Sequence, residues 1–289
     1  MTTDIKKHTF KPGLPQEFEI VDIANLHKEF AEEMTTPHRT AFYHILWFQK
    51  GSPTHLVDFV PISIKPNTML FLSKDTVQRF DKKGGFGGKV ILFTDRFFCK
   101  TKTDTKFLHN SILFKDLFSV SQLQLQKSSK LFTNLLLQME SELKNTKDNY
   151  QSDILQNLLH NFLLHAERHK RKQNFTEIKN SADLDYVMLF KEMLDNQFHK
   201  QKLVRHFAKQ LSVTEKRLNL ATSKILGKSP KQMIDERIML EAKRLLAHTN
   251  ESVKEIGFSL GFDEPTNFIK YFRKHNHSTP VEFKESLSL

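Results

Sequence analysis

The chain has 289 residues, enough for about two domains at roughly 150 residues each, and can bury a core without staples. Its apolar fraction of 38% and mean hydropathy of -0.47 go with no apolar run near the ~20 residues that span a bilayer. It therefore reads as a soluble protein with no membrane partner. Met1 to Phe10 has no apolar stretch behind Lys6-Lys7, so no secretory leader is read there and the cytoplasm is the expected compartment. A single cysteine, Cys99, excludes an intrachain disulfide and a Cys-rich zinc site. The formal charge of +11 is unevenly placed: residues 200–289 carry a net +7 and the first 199 residues +4. That excess points to a polyanion as partner of the C-terminal part.

Breakers divide the chain. Six prolines from Pro12 to Pro66 and the glycines Gly84, Gly85, Gly87 and Gly88 crowd the first third; neither residue then occurs for 138 positions, until Gly227. A β-domain needs turn residues far more often than that, so the middle is read as helical. Before it, Thr40 to Gln49, His55 to Val60, Ile62 to Ile64, Thr68 to Leu72, Val77 to Phe80 and Lys89 to Phe93 are short runs with β-branched and aromatic residues. They predict an antiparallel sandwich or barrel, with 84–88 as its loosest hairpin loop. Along Thr40 to Gln49, Phe42, His44, Leu46 and Phe48 share one face and Tyr43, Ile45 and Trp47 the other. Either face suits a ligand pocket or the core.

After Asp95 the period becomes helical. Leu131, Leu135, Gln138, Met139 and Leu143 form one stripe and Ile154, Leu158, Leu159, Phe162 and His165 another, with Lys144 to Asn149 as the turn between. This helical hairpin either covers the barrel or forms a dimer seam. The basic segment Arg168 to Lys179 reads as a linker, with a phosphate-contacting tail as the alternative.

A duplication lies beyond it. Val204, Phe207, Ala208 and Leu211 stand at i, i+3, i+4 and i+7, and the pattern returns 49 residues later at Val253, Ile256, Gly257 and Leu260. After one inserted residue the offset becomes 50, aligning Leu218 with Phe268, Thr222 with Phe272, Lys224 with Lys274 and Pro230 with Pro280. Each copy reads as a short helix, a turn, and a second helix N-capped by Thr214 or Asp263, which is a helix-turn-helix. Lys231 to Thr249, 19 residues without a breaker, predicts a rigid helix of about 28 Å between the copies. Major grooves recur on one side of B-DNA every ~34 Å and each admits one helix.

From about Asp183 onward, most strongly in EAKRLLAHTNESVKEIGFSLGFDEPTNFIKYFRKH followed by Ser278-Thr279-Pro280, the sequence resembles the DNA-binding domain of AraC/XylS-type transcriptional regulators. The resemblance implies two recognition helices in successive major grooves. Carried over position by position, it places Lys216, Asn219, Leu220 and Ser223 at the groove in the first unit and Thr266, Asn267, Ile269 and Lys270 in the second. Asn can read adenine, Lys can reach guanine and Leu220 can meet a thymine methyl. Lys224, Arg273 and Lys274 lie further along and suit phosphates. Two departures stand out: His277 occupies the usual glycine that ends the last helix, and Thr222 a position that is usually aromatic. The resemblance also implies a cupin-like domain in front, binding an effector or mediating dimerisation.

The expected fold is α+β: a cupin-like antiparallel β-barrel with a helical hairpin in 1–170, a linker at 171–182, and in 183–289 an all-α domain with two helix-turn-helix units joined by a long helix. The expected function is a sequence-specific DNA-binding transcriptional regulator, not an enzyme. Its partners are double-stranded promoter DNA, a second copy in a homodimer, and, as further candidates, a small-molecule effector and RNA polymerase. No cofactor is expected. A metal is not expected either, since His38, His44 and His55 lack the His-x-His spacing of metal-binding cupins. No nucleophile, P-loop or zinc-protease motif occurs, and Cys99 reads as an inert thiol. A cupin-type enzyme with a helical extension and a non-specific nucleic-acid binder are the alternatives.

Overall fold

The computed structural model describes residues 7–10, 16–114, 120–125, 129–173, 181–249 and 251–286. They form two compact units, one within Lys6–Thr176 and one within Glu177–Leu289.

In the N-terminal unit ten described strands, numbered in chain order, make two sheets. One runs β1 (Lys7–His8), β3 (His38–Thr40), β8 (Val77–Arg79), β5 (Thr54–Val57), β6 (Val60–Ser63). The other runs β10 (Ser121–Gln124), β7 (Thr68–Leu72), β4 (Tyr43–Lys50), β9 (Gly87–Phe93), β2 (Phe18–Asp22). Pairing is antiparallel except between β1 and β3. The sheets face each other across one apolar cluster that holds Leu46, Leu70 and Val90 of the second and Val57 and Ile62 of the first. Among the described residues no ladder joins them into a closed barrel.

The run expected as one strand over His55 to Val60 is broken by a turn. Asp58 and Phe59 have φ of 46° and 68°, the two left-handed residues of a type I′ hairpin between β5 and β6. Asp58 makes the turn without glycine. Its carboxylate accepts from the Val77 amide at 3.1 Å, which fixes the corner against β8.

Short helices α1 (Ile23–Glu29) and α2 (Ala31–Thr35) follow β2, and α3 (Asp95–Phe98) and α4 (Lys102–Asn110) follow β9. The hairpin is α5 (Ser129–Lys144) and α6 (Gln151–Lys172). Phe132, Leu135, Met139, Leu155, Leu159 and Phe162 pack in one cluster with Tyr43, Ile45 and Trp47 of β4. The hairpin therefore covers the outer face of the second sheet. Each such large side chain, fully buried, contributes roughly 1.5–3 kcal/mol. Arg171 and Lys172 end α6 and Ser181 caps the next helix, so the expected linker at 171–182 is narrowed at both ends. Its remainder, 174–180, lies outside the described residues.

The C-terminal unit consists of α7 (Ala182–Gln197), α8 (Val204–Gln210), α9 (Glu215–Leu226), α10 (Pro230–His248), α11 (Val253–Ser259), α12 (Pro265–Asn276) and α13 (Pro280–Ser286). The central helix α10 has 19 residues, about 28 Å at 1.5 Å per residue. Its start is set by a reciprocal cap. Ser229 accepts from the Gln232 amide while the Gln232 side chain accepts from the Ser229 amide, and Pro230 fills the first position. Ile234, Ile238, Ala242 and Leu246 on its buried face join Phe207 and Leu218 of the first repeat and Ile256, Phe268 and Phe272 of the second in one core. Neither repeat has a core of its own.

Candidate nucleic-acid interface

The helix pairs α8–α9 and α11–α12 are the two copies seen in the sequence, and each is a helix, a turn and a second helix. On α9, Leu218, Ala221 and Thr222 are buried, which turns Lys216, Asn219, Leu220, Ser223 and Lys224 outward. These five lie at i, i+3, i+4, i+7 and i+8, one stripe of the helix. On α12, buried Phe268 and Phe272 turn Thr266, Asn267, Lys270, Arg273 and Lys274 outward. Of the eleven residues singled out, only Ile269 is half-buried. Leu220 is 59% exposed, unusual for a leucine in a helix with an apolar face to bury it on.

Caps set where each outward stripe begins. Thr214 accepts from the Arg217 amide at 3.1 Å and starts α9. The corresponding cap of α12 is Glu264, not Asp263. The residue inserted in the second turn moves the cap one place on, Glu264 makes no side-chain bond to the helix amides, and Pro265 at the first position removes one of them. Both helices end on a left-handed residue whose amide bonds back, Gly227 (φ 66°) to Ser223 and His277 (φ 59°) to Arg273. The geometry that glycine usually supplies is thus kept at His277, with the backbone strain that a side chain brings there.

Two anchors hold the outward helices, and sequence reasoning found neither. Asp183, in the first turn of α7 and 8% exposed, receives Arg217 at 2.5 Å and Lys224 at 2.8 Å from α9. The hydrogen bonds from Lys224 and Arg217 hold its carboxyl below the usual carboxylate range. Arg217 also lies over the Tyr186 ring, 5.0 Å from its centre. Lys224, expected at a phosphate, is therefore already engaged with a carboxylate. On the other copy, the Tyr271 hydroxyl donates to Asp235 of α10 at 2.6 Å, and Lys231 reaches the same oxygen at 2.5 Å. Burial, then the Asp235 contact, pushes the Tyr271 phenol up. The partners lie 41 and 36 positions apart on separate helices, so no local spacing marks them.

In the N-terminal unit His38, His44 and His55 are all buried, and burial lowers them to about 4, 3 and 3. The described residues hold no group of three or more His, Cys, Asp or Glu side chains placed to bind a metal ion. Cys99 is half-buried, and burial raises its thiol.

Two outward-facing helices mounted on a common core define a double helix-turn-helix unit. Residues 207–286 match the family described as a helix-turn-helix domain. Curated relatives include the lactose operon transcription activator of Staphylococcus xylosus, 29% identical over 98 residues. That match covers 34% of this chain and 35% of the relative. The transcriptional activator RhaS of Salmonella arizonae is 24% identical over 106 residues, 37% of each chain. The chain thus matches only about a third of the length of these relatives. Among solved structures, ToxT of Vibrio cholerae aligns over 93% of this chain and 98% of its own, with a TM-score of 0.48 and 13% identity. An AraC-type DNA-binding regulator of Chromobacterium violaceum aligns over 38% of this chain and 97% of its own, with a TM-score of 0.34 and 21% identity.

Proposed function

We propose that this chain is a cytoplasmic, sequence-specific DNA-binding transcriptional regulator whose helices α9 and α12 read neighbouring major grooves of a promoter. One observation carries the reading. The same helix-turn-helix occurs twice on one 19-residue helix, and both copies bury the apolar side of the second helix and leave a stripe of Lys, Asn, Ser and Thr outside. An ordinary helical hairpin needs no duplication and no polar stripe of matched position. Asn219, Lys216, Asn267 and Lys270 are the base readers in this proposal, and Arg273 and Lys274 the phosphate contacts. The curated relatives, which are named as activators, point the same way. The N-terminal unit is the regulatory part: a small-molecule effector binds between its sheets, and Leu137, Ile154 and Leu164, left exposed on α5 and α6, form the seam of a homodimer. RNA polymerase is the further partner, and no reaction is catalysed.

Footprinting of the full chain on the DNA upstream of its own gene and the neighbouring genes tests this. A protected stretch covering two successive major grooves on one side of the duplex is expected. Asn219→Ala and Lys270→Ala should each remove roughly 1–3 kcal/mol of discrimination at one base pair. Equal affinity for all duplexes at matched salt would reduce the chain to a non-specific binder.

A further inference from the structure

The core that the two repeats share brings their reading helices together, but apolar burial is non-directional. The angle between two packed elements is better fixed by groups that bond along a line. A run of such groups leads from α9 to the start of α12.

Its first link is the pair of ion contacts from Arg217 and Lys224 of α9 to Asp183 of α7. At the far end of α7 the chain turns through residues 198–203 into α8. This connector is tied to the first repeat. The Lys200 and Gln201 amides bond back to the Gln197 carbonyl at 2.9 and 2.8 Å, and the Gln197 side-chain nitrogen donates to the Gln210 side chain of α8 at 3.2 Å. Arg237 of α10 pins it from another side: its guanidinium lies 4.0 Å from the centre of the Phe198 ring and donates to Asp195 of α7 at 2.9 Å.

The connector then meets the turn of the second repeat. The Lys202 ammonium donates to the Gly261 carbonyl at 2.6 Å and lies 4.8 Å from the centre of the Phe262 ring. The two backbones approach so closely that a Cβ on Gly261 would stand 1.8 Å from the His199 carbonyl oxygen and 2.8 Å from Lys202 Nζ. Lys202 and Gly261 are 59 positions apart, and α12 begins at Pro265, just past the contact. Burial pulls the Lys202 ammonium below the usual lysine range, while the charge of Asp263 works the other way. A lysine placed for a phosphate keeps its ammonium in water. This one is half-buried, with a carbonyl and a ring face as partners.

We propose that Lys202 is a positioning residue of the DNA interface: by tying the α7–α8 connector to the turn before α12, it holds the two recognition helices at the spacing of neighbouring grooves. This rests on the reading that α9 and α12 enter those grooves. Lys202 acts through Gly261 and not on a nucleotide.

Two measurements on the full chain test it. The first needs no DNA. Spin labels on Ser223→Cys in α9 and Lys274→Cys in α12, in a Cys99→Ser background, report the distance between the helices by pulsed electron resonance. One narrow distance peak is expected with Lys202 in place and with Lys202→Arg, which still donates, and a peak at least about one and a half times as wide with Lys202→Met. Equal widths in all three overturn the proposal. Lys202→Gln, with a shorter side chain, takes the place of Lys202→Met if helical ellipticity shows that variant unfolded.

The second measurement uses the duplex that the unlabelled chain selects from a random pool, and the same duplex with one base pair inserted between the two protected grooves. The insertion turns one groove about 34° from the other. It should weaken binding at least about tenfold for the natural chain and for Lys202→Arg, and less than about threefold for Lys202→Met. The slope of log affinity against log salt should stay as it is in Lys202→Met. An unchanged insertion penalty overturns the proposal whatever the distances. Equal losses on both duplexes with a slope smaller by about one make Lys202 an ordinary phosphate contact, which also overturns it. A widened distance peak with no duplex selected sinks the regulator reading alone, and two-groove protection with unchanged distances sinks this proposal alone.

Discussion

The two helix-turn-helix units have the same backbone and obtain it from different residues. Each has a left-handed residue after its first helix, Ser212 (φ 56°) in one and Gly261 (φ 74°) in the other, and a second at the end of its second helix, Gly227 and His277. Glycine thus serves one such position per unit, and not the same one. Volume is exchanged in the same manner. Ala208 and Leu218 are both buried in the common core in the first unit; at the matching positions of the second stand the smaller Gly257 and the larger Phe268, and a Cβ on Gly257 would stand 3.2 Å from Phe268. Buried Thr222, its hydroxyl on the Asn219 carbonyl, faces a common core where the second unit has Phe272. What both copies retain is the placement of an exposed stripe; which residues carry the packing is free to differ.

Substitutions made in pairs sharpen this comparison, read by urea unfolding followed through helical ellipticity. Trp47 fluorescence reports the N-terminal unit separately, since Trp47 is the one tryptophan and packs there. The largest difference should come from the core. Phe272→Ala should destabilise by about 3–5 kcal/mol and Thr222→Ala by about 1. Equal losses would mean that the two units are packed alike. Next come the turns. A Cβ at Gly261 would stand 1.8 Å from the His199 carbonyl oxygen. Gly261→Ala should therefore remove about 2–4 kcal/mol, while Ser212→Ala, whose backbone already accepts a side chain, stays within about 0.5. At the caps, Thr214→Ala should lose about 1 kcal/mol and Glu264→Ala only a few tenths, because only Thr214 bonds to its helix. The smallest effect is a gain. His277→Gly should stabilise by about 0.5–1 kcal/mol by relieving the left-handed strain, and a loss there would show that the imidazole makes up for it.

What could be read in advance follows from how local the signal is. The spacer helix, expected over 231–249 and found at Pro230–His248, the duplicated helix pairs and the outward stripe rest on periodicity within one helix. The cap of α12 was displaced because Asp263 and Glu264 are adjacent acidic residues, and only the backbone decides which one leaves the helix. The hairpin at Asp58-Phe59 carries no Asn-Gly or Gly signal, so a continuous strand was the natural reading. β10, with the sequence SQLQ, has too little apolar alternation to be seen, and its ladder with β7 is a long-range contact. For β4 the choice of face could not be made from alternation, because hairpin on one side and the facing sheet on the other bury both. Asp183 and Asp235 escaped for the same reason: each acts on a helix far away in sequence.

The Asp183 anchor gives the proposed grip on DNA a lopsided character. A cation that binds a phosphate strengthens association by setting free the small ions condensed on the duplex. Lys224 and Arg217 arrive with a carboxylate already in place as counter-ion, so swapping it for a phosphate yields little net release. Lys274, the repeat partner of Lys224, has no carboxylate within ion-pair distance among the described residues. Added salt should therefore loosen the second unit's hold well before the first's, leaving the protein tethered by one foot at ionic strengths where a symmetric pair would let go with both.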